Sequence, residues 1–137
     1  MAESLLHMDL VRTIVNYIAT ITPSFSAQLL DADLPEYGRT PRVIHGYYPD
    51  VRYMDREVMV IGEAKTQYDI DNEHTESQLE AYIEEINTYQ YQKHIVYCVP
   101  FLSFIKVKNK IKRLKQHKSL TEIHFHIIDN FNRVATL

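Results

Sequence analysis

The segment 57–65, Glu-Val-Met-Val-Ile-Gly-Glu-Ala-Lys, constrains the fold more than any other stretch of the chain. Its four consecutive apolar residues, 58–61, predict a strand, because a short apolar run of this kind is typical of a strand covered on both faces. Pro49 sits just before a second strand pattern at 50–54, where a proline at the strand start is tolerated. We predict that the two strands form a hairpin with residues 55–56 as its tip, although the tip lacks the usual glycine.

Helix and strand patterns alternate along the rest of the chain. The helix predictions, from apolar residues at helical spacing, are residues 4–20, 74–89 and 102–117. The other strand predictions are residues 42–45, 94–99 and 122–128. The stretch 31–41, with prolines and a glycine close together, predicts a loop. The order of helix, three strands, helix, strand, helix and strand predicts an α/β fold with a mixed central sheet and flanking helices.

The composition agrees with a globular protein of one domain, residues 1–137. Its 45% hydrophobic and 24% charged residues are ordinary for such a chain. The single cysteine, Cys98, excludes an intramolecular disulfide and a cysteine-rich zinc site. No apolar run approaches the ~20 residues that span a membrane. Glu3 and Asp9 interrupt the apolar N-terminus, which therefore does not resemble a secretory signal, and we expect a cytoplasmic protein.

The net charge of −3, from 15 basic and 18 acidic residues, hides two segments of opposite sign. Seven bases and no acid lie between residues 103 and 121, and seven acids and no base lie between residues 66 and 92. The distribution of charge is more informative than its sum, because a basic helix can contact phosphates even in an acidic protein. The mild acidity therefore does not exclude nucleic acid as a partner.

Two carboxylates and an amine are expected to converge at the end of the hairpin. Asp50 opens one strand, while Glu63 and Lys65 close the other and share one face, because side chains alternate along a strand. A tip at 55–56 pairs Asp50 with about residue 61, which brings its carboxylate within reach of Glu63. Carboxylates are the ligands that Mg²⁺ and Mn²⁺ prefer, and a nearby lysine orients the attacking water and stabilises charge on a phosphate. These residue types suit phosphodiester hydrolysis.

Each of these residues also has a purely structural interpretation. An aspartate after a proline is a common turn residue, and a Glu-x-Lys pair is common on protein surfaces. The pair in this chain ends an apolar strand, where burial of unpaired charge is costly, so a functional role explains it better.

Pro49-Asp50 followed by Glu63-Ala64-Lys65 resembles the motif of the PD-(D/E)xK nuclease superfamily, which has the restriction-endonuclease-like fold. The predicted order of helix, three strands, helix and strand is also similar to that family's core. The run Gln78-Leu79-Glu80-Ala81-Tyr82 resembles the QxxxY element of RecB-type nucleases, on the helix after the motif. The segment 46–82 is similar as well to virus-type replication-repair nuclease domains and to Holliday-junction resolvases.

The resemblance implies a role for each matching residue of the motif. Asp50 and Glu63 would bind Mg²⁺ (or Mn²⁺) together with the backbone carbonyl of Ala64. Lys65 would position the attacking water. DNA would be the substrate.

The resemblance also implies roles for residues on the two neighbouring helices. Gln78 would reach back to the site or to the DNA backbone, unless it is a solvated residue at the start of its helix. Tyr82 would do likewise or pack in the core. Family members often carry an acidic residue or a histidine on the first helix. The candidates there are Glu3, as a further metal ligand, and then His7 and Asp9. His45 lies near the motif in sequence and is more simply a structural residue.

The basic segment is a second candidate for DNA contact. On its predicted helix one stripe carries Lys106, Lys110 and Arg113, and contacts from such side chains to phosphates give affinity that does not depend on sequence. A solvated helix face and docking against the acidic helix of a second copy are the alternatives. Four of the ten tyrosines are near the motif and would either stack on bases or pack in the protein: Tyr47, Tyr48, Tyr53 and Tyr68.

The residues and the resemblance together favour a divalent-metal-dependent deoxyribonuclease. A single small domain suggests an endonuclease that acts as a homodimer or within a larger nuclease complex, since a symmetric dimer brings two sites to two strands. The alternative is a catalytically silent subunit with the nuclease fold that binds DNA or assists assembly. A third interpretation is a nuclease subunit that is active only with a partner.

Overall fold

The computed structural model describes residues 4–70, 72–118 and 120–137, apart from the side chains of residues 117 and 118. Within these ranges the chain forms an α/β fold of three α-helices and one mixed sheet of six strands. The helices are α1 (Leu5–Ile21), α2 (Glu73–Ile86) and α3 (Phe104–Lys118). The strands are β1 (Leu30–Ala32), β2 (Val51–Met54), β3 (Val58–Ala64), β4 (Gln92–Val99), β5 (Ile123–Asp129) and β6 (Val134–Thr136). None of the helices in the described ranges is long and apolar enough to cross a membrane.

The strands lie in the sheet in the same order as in the chain, from β1 to β6. The central strands β3, β4 and β5 are parallel, and the other neighbours are antiparallel. Because α2 and α3 connect the parallel strands, the carboxyl ends of β3, β4 and β5 meet on one side of the sheet. We call this side the carboxyl end of the sheet and the opposite side its amino end.

Helices cover both faces of the sheet. α1 packs on one face against apolar residues of β1 to β5, while α2 and α3 pack on the other. This arrangement explains the apolar run in β3, because all seven of its residues are buried and neither face reaches water. Gly62 allows the close approach of α1 to β3, since a Cβ at this position would lie 2.6 Å from Ile14 Cγ2.

Side-chain caps determine where α1 and α2 begin. Ser4 Oγ accepts the N–H of His7 at 3.0 Å, and Asn72 Oδ1 accepts the N–H of Thr75 at 2.7 Å. Each bond satisfies a backbone donor that the first turn of a helix leaves without an intrahelical partner. The cap at Ser4 thus places His7 in the first turn of α1.

The predicted order of elements is wrong near both ends of the sheet. No strand forms at 42–45, because positive φ angles at His45 (49°) and Gly46 (85°) turn the chain and leave one isolated bridge between Ile44 and Tyr47. The first strand is instead β1, which begins one residue before the stretch that we predicted as a loop, and β6 follows the last predicted strand. The other predicted helices and strands are confirmed to within three residues at each end.

The hairpin between β2 and β3 turns one residue later than predicted. Asp55 Oδ1 accepts the N–H of Glu57 at 2.7 Å and the N–H of Val58 at 2.9 Å, while the Asp55 N–H donates to the Val58 carbonyl. The tip is therefore 56–57, and the aspartate side chain stabilises the turn without a glycine. The later turn changes which residues face each other at the open end of the hairpin.

Candidate active site

Asp50 and Glu63 lie opposite each other where the hairpin opens at the carboxyl end of the sheet. The register pairs Val51 with Gly62, so the next pair outward is Asp50 with Glu63, and the predicted pairing of Asp50 with residue 61 is wrong. Both residues are buried, with exposed fractions of 8% and 3%. Directly opposed residues of an antiparallel pair share a face, so the two carboxylates are neighbours.

Backbone groups hold both carboxylates. The Ala64 N–H donates to Asp50 Oδ2 at 2.9 Å, and the Asp50 N–H donates to Glu63 Oε2 at 3.3 Å. The Lys65 N–H donates to the Cys98 carbonyl on β4 at 3.0 Å. Because backbone groups of successive strand residues point to opposite sides, the Ala64 carbonyl faces the side of β3 on which Asp50 lies.

One side chain from each face of the sheet completes the contacts of the pair. From α2, the Tyr82 hydroxyl donates to Glu63 Oε1 at 3.1 Å. From α1, His7 Nε2 lies 3.3 Å from Asp50 Oδ2. Tyr82 is fully buried and its hydroxyl contacts Glu63, which agrees with packing in the core; its contact with DNA stays a prediction. His7 is the first-helix candidate that the structure brings to the pair.

The pKa values of the two carboxyls are shifted in opposite directions. Burial, followed by the charge of Asp50, raises the pKa of Glu63 well above its usual range, against smaller opposing effects of Lys65 and Tyr82. Burial also raises the pKa of Asp50, but its contacts with His7, Glu63 and the Ala64 N–H outweigh burial and lower it. Together these shifts describe a pair in which Asp50 keeps its charge and Glu63 keeps its proton.

Lys65 follows Glu63 on the same face and lines a cleft between α2 and α3 at the carboxyl end of the sheet. The ammonium group is close enough to Glu63 to lower its pKa. The walls of the cleft are mostly apolar, and its lining includes Lys65, Leu79, Tyr97, Val107, Lys110 and Ile111. The structure therefore brings Asp50, Glu63 and Lys65 together at one end of the sheet, as the sequence predicts.

Two buried polar atoms beside this cleft lack a hydrogen-bond partner within the described part of the chain. One is Gln78 Oε1 on α2, one helical turn before Tyr82. The other is the hydroxyl of Tyr97, which is the neighbour of Glu63 in the register between β3 and β4. Gln78 is thus a buried residue facing the core, not a solvated one. Tyr97 has no signal in the sequence beyond its place on a buried strand, and it is not among the predicted site residues.

The other candidates near the motif lie away from the carboxylates. Glu3 is outside the described residues. Asp9 is exposed on α1 and lies 3.4 Å from Arg12. His45 is exposed in the turn before β2 and lies 3.7 Å from Glu85. Of the four tyrosines near the motif, Tyr53 is a buried core residue and Tyr47 is partly buried. Tyr48 and Tyr68 are exposed.

The predicted basic stripe lies on α3 and is partly engaged by the acidic helix of the same chain. Lys106 and Arg113 are exposed. Lys110 Nζ lies 3.0 Å from Glu76 Oε1 on α2 and 3.3 Å from the Ile70 carbonyl. Part of the charge of the two oppositely charged segments is therefore compensated within one chain.

The donor atoms at Asp50 and Glu63 are of the kind that Mg²⁺ binds. Two carboxylates and the Ala64 carbonyl provide oxygen ligands, and a cation between the carboxylates would offset their repulsion. The described residues include no group of three or more His, Cys, Asp or Glu side chains that could hold a metal ion. The protein would thus supply few ligands, which suits Mg²⁺ because this ion keeps several waters.

A second polar group, built around the buried side chains of His94 and His126, lies under the other end of α1, and we call it the histidine cluster. His94 Nδ1 lies 2.8 Å from His126 Nε2, and the Tyr17 hydroxyl lies 2.7 Å from His126 Nδ1. His124 stacks on His94 with ring centroids 5.1 Å apart. Thr136 Oγ1 lies 3.5 Å from His126 Nδ1. The cluster is at the amino end of the sheet, away from the carboxylates.

Burial keeps His94 and His126 neutral at neutral pH. It lowers the pKa of His94 to about 4, with a further contribution from the charge of His124. It lowers the pKa of His126 to about 3, with further contributions from His94 and His124. This cluster is not among the predicted features, and its one signal in the sequence is the alternating His124-x-His126 pattern on a strand.

Comparisons of the chain with protein-family models, with curated proteins and with solved structures found no match.

Proposed function

We propose that the protein is a divalent-metal-dependent nuclease that hydrolyses phosphodiester bonds of DNA at Asp50 and Glu63. The observation that carries the proposal is the burial of two directly opposed carboxylates with Lys65 beside them. Burying two opposed carboxyl groups is costly to the fold, because burial and the charge of Asp50 disfavour ionisation of Glu63. The resemblance of these residues to the PD-(D/E)xK motif supports the proposal and extends it to a restriction-endonuclease-like core.

Asp50, Glu63 and the Ala64 carbonyl would hold Mg²⁺ (or Mn²⁺). When bound, the ion would supply positive charge at the scissile phosphate and lower the pKa of the attacking water. The Ala64 N–H fixes one oxygen of Asp50, and the Tyr82 hydroxyl fixes one oxygen of Glu63, so both ligands are oriented before the ion arrives.

Lys65 has the place and the charge to act on the substrate. Its side chain lies on the same face as Glu63 and borders the cleft, so its ammonium group can orient water and offset the charge that develops on the phosphate. His7 contacts Asp50 and positions that carboxylate from the opposite face of the sheet. The expected oligomeric state is a homodimer or a larger nuclease complex, which would bring one site to each strand of a duplex.

A panel of DNA substrates with Mg²⁺ or Mn²⁺ tests the proposal. The panel contains closed circular plasmid, linear duplex, single-stranded and branched DNA, with RNA for comparison. Asp50→Asn and Lys65→Ala should each reduce cleavage by about 100-fold or more, because each removes charge from the reacting centre. Glu57→Gln and Arg56→Ala, at the exposed hairpin tip, are the matched controls and should cleave like the wild type.

The same panel distinguishes the alternatives. Cleavage of closed circles identifies an endonuclease, because an exonuclease needs an end. Cleavage that survives Asp50→Asn contradicts the assignment of the site. DNA binding by the wild-type chain without any cleavage in either metal favours the catalytically silent subunit.

A further inference from the structure

Four large apolar side chains are exposed together where β4 leads into α3 and where β5 turns into β6. We call them the apolar patch: Phe101, 44% exposed, Leu102, 78%, Ile105, 53%, and Phe131, 69%. The rings of Phe101 and Phe131 contact each other edge to face, with centroids 5.1 Å apart. Exposed apolar groups of this size mark interaction surfaces when they are contiguous.

Hydrogen bonds between the β4–α3 connection and the β5–β6 connection fix the apolar patch in place. The Phe101 N–H donates to Asn130 Oδ1 at 2.9 Å, and Arg133 Nη2 donates to the Phe101 carbonyl at 3.0 Å. Arg133 also binds the buried Asp129 and lies over the ring of Phe104 at 4.1 Å. These contacts hold the apolar patch in one conformation, so it can bind a partner without first becoming ordered.

The apolar patch lies at the same end of the sheet as Lys65 and the carboxylates. It follows the carboxyl ends of β4 and β5, and Lys65 follows that of β3. Neighbouring strands are about 4.8 Å apart, so the patch begins roughly 5 to 10 Å across the sheet from Lys65. A nucleic acid strand with a phosphate at Lys65 would pass over the patch with its next nucleotides.

A stripe of lysines continues from the apolar patch along α3. Lys108, Lys112 and Lys115 stand three, seven and ten positions after Ile105, which is the spacing of one helix face. Within the described ranges, no carboxylate forms an ion pair with any of these three lysines, in contrast to Lys110, which binds Glu76. The surface is thus apolar near the candidate active site and basic farther along the helix.

We propose that the apolar patch and this lysine stripe bind single-stranded DNA, the patch through unpaired bases and the lysines through phosphates. The direction of the strand toward Lys65 rests on the proposed function. Aromatic and apolar side chains contact base faces only where the bases are unpaired, since a duplex buries those faces in its own stack. A second copy docked patch to patch with the two stripes side by side would bring its lysines against those of the first, and like charges disfavour that arrangement.

Fluorescence anisotropy in EDTA tests the proposal without any contribution from cleavage. The probes are a labelled oligothymidylate, an abasic oligonucleotide of the same length and a duplex. The variant Leu102→Ser with Phe131→Ser should bind the oligothymidylate roughly tenfold more weakly and the abasic strand as the wild type does. Leu29→Ser, an exposed leucine near the amino end of the sheet, is the matched control and should change neither affinity.

Salt dependence tests the lysine stripe separately. Lys108→Ala with Lys112→Ala should weaken binding of both single strands and reduce the slope of log K against log salt concentration by about 1.4. Arg56→Ala, an exposed cation at the hairpin tip, should leave the slope unchanged.

Four results would overturn the proposal. The first is an unchanged affinity of the patch variant for oligothymidylate, and the second is an equal loss of affinity for the abasic strand. The third is a wild-type dimer that becomes monomeric in the patch variant. The fourth is patch-dependent binding to anionic vesicles in place of DNA. Because these measurements are made without metal, they stand whether or not Asp50 supports cleavage. Loss of the patch effect with intact cleavage would contradict the patch alone.

Discussion

Two polar clusters with buried residues lie beneath opposite ends of α1, and they differ in the charge of the groups that they bury. Near the start of the helix, His7 contacts the carboxylate pair Asp50 and Glu63. Near its end, Tyr17 contacts the histidine cluster through His126. Both clusters are buried and both draw side chains from separate elements, so burial alone does not distinguish them.

The difference lies in charge. His126 uses both ring nitrogens, one toward Tyr17 and one toward His94, while the buried His94 Nε2 has no hydrogen-bond partner within the described part of the chain. The carboxylate pair places two acidic groups side by side, and burial, followed by the charge of Asp50, holds a proton on Glu63. A cluster whose buried groups are neutral has the character of a structural element, whereas a buried pair of acidic groups with pKa values shifted in opposite directions has the character of a binding site.

Acid should weaken the histidine cluster, and this is the largest effect that we expect. The folded pKa values of His94 and His126, about 4 and about 3, lie below the unfolded value near 6.5. The unfolded chain therefore binds more protons between these values, and the free energy of unfolding falls as pH drops from 6.5 toward 4. The loss from His94 alone is on the order of 3 kcal/mol. Urea unfolding at a series of pH values measures it.

A matched pair of variants separates this effect from general acid unfolding. His126→Gln should reduce the pH dependence between 6.5 and 4, because one of the two suppressed protonations is gone. His74→Gln, which replaces an exposed histidine on α2, should leave that dependence as in the wild type. Equal curves for all three proteins would contradict a neutral, buried cluster.

Divalent cations should stabilise the carboxylate pair and leave the histidine cluster unchanged. A ligand that binds only the folded state adds about 2.7 kcal/mol to the free energy of unfolding at a hundredfold excess over its Kd. Mg²⁺ or Mn²⁺ should therefore raise the unfolding midpoint of the wild type and not that of Asp50→Asn. An equal rise in both proteins would place the bound ion elsewhere.

Glu63→Gln should make the metal-free protein more stable, by about 1 kcal/mol at neutral pH and above. The amide keeps an acceptor for Tyr82 and removes an ionisable group that burial disfavours. Glu57→Gln at the exposed hairpin tip is the matched control. Chemical denaturation in EDTA measures both, and a loss of stability in Glu63→Gln would mean that the pair stabilises the fold without a cation.

Tyr82→Phe should have the smallest effect on stability, about 1 kcal/mol or less, because it removes one hydrogen bond and keeps the ring. It should weaken Mg²⁺ binding by roughly tenfold, since Glu63 then loses its orienting donor. Tyr89→Phe removes a comparable contact with Glu85 and should not change metal affinity. Calorimetric titration compares the three proteins, and equal affinities would remove Tyr82 from the site.

The fold could be predicted from the sequence where periodicity was strong, and it could not where strands are short. The apolar runs of β3 and β4 and the helical spacing of α1, α2 and α3 identify those elements. β1 and β6 have three residues each, too few for a pattern, and they form because a longer neighbour offers hydrogen bonds. The predicted strand at 42–45 fails because His45 and Gly46 turn the chain.

The candidate site was predictable in its residue types but not in its contacts. The motif placed Asp50, Glu63 and Lys65 together. The direct pairing of Asp50 with Glu63 depends on the cap that Asp55 makes at the far end of the hairpin, which periodicity does not report. The contact of His7 with Asp50 depends on how α1 packs on the sheet, which is a tertiary property that helical spacing does not report.

The packing of α1 on β3 has a mechanical consequence, because one of the β3 residues beneath the helix, Gly62, has no side chain. Gly62 lies beneath Ile14, between the end of the helix that carries His7 and the end that carries Tyr17. A methyl group at position 62 would act as a wedge under the middle of the helix. Lifting the helix there would strain the contact of His7 with Asp50 and that of Tyr17 with His126 at the same time. One glycine therefore affects both the candidate active site and the distant histidine cluster.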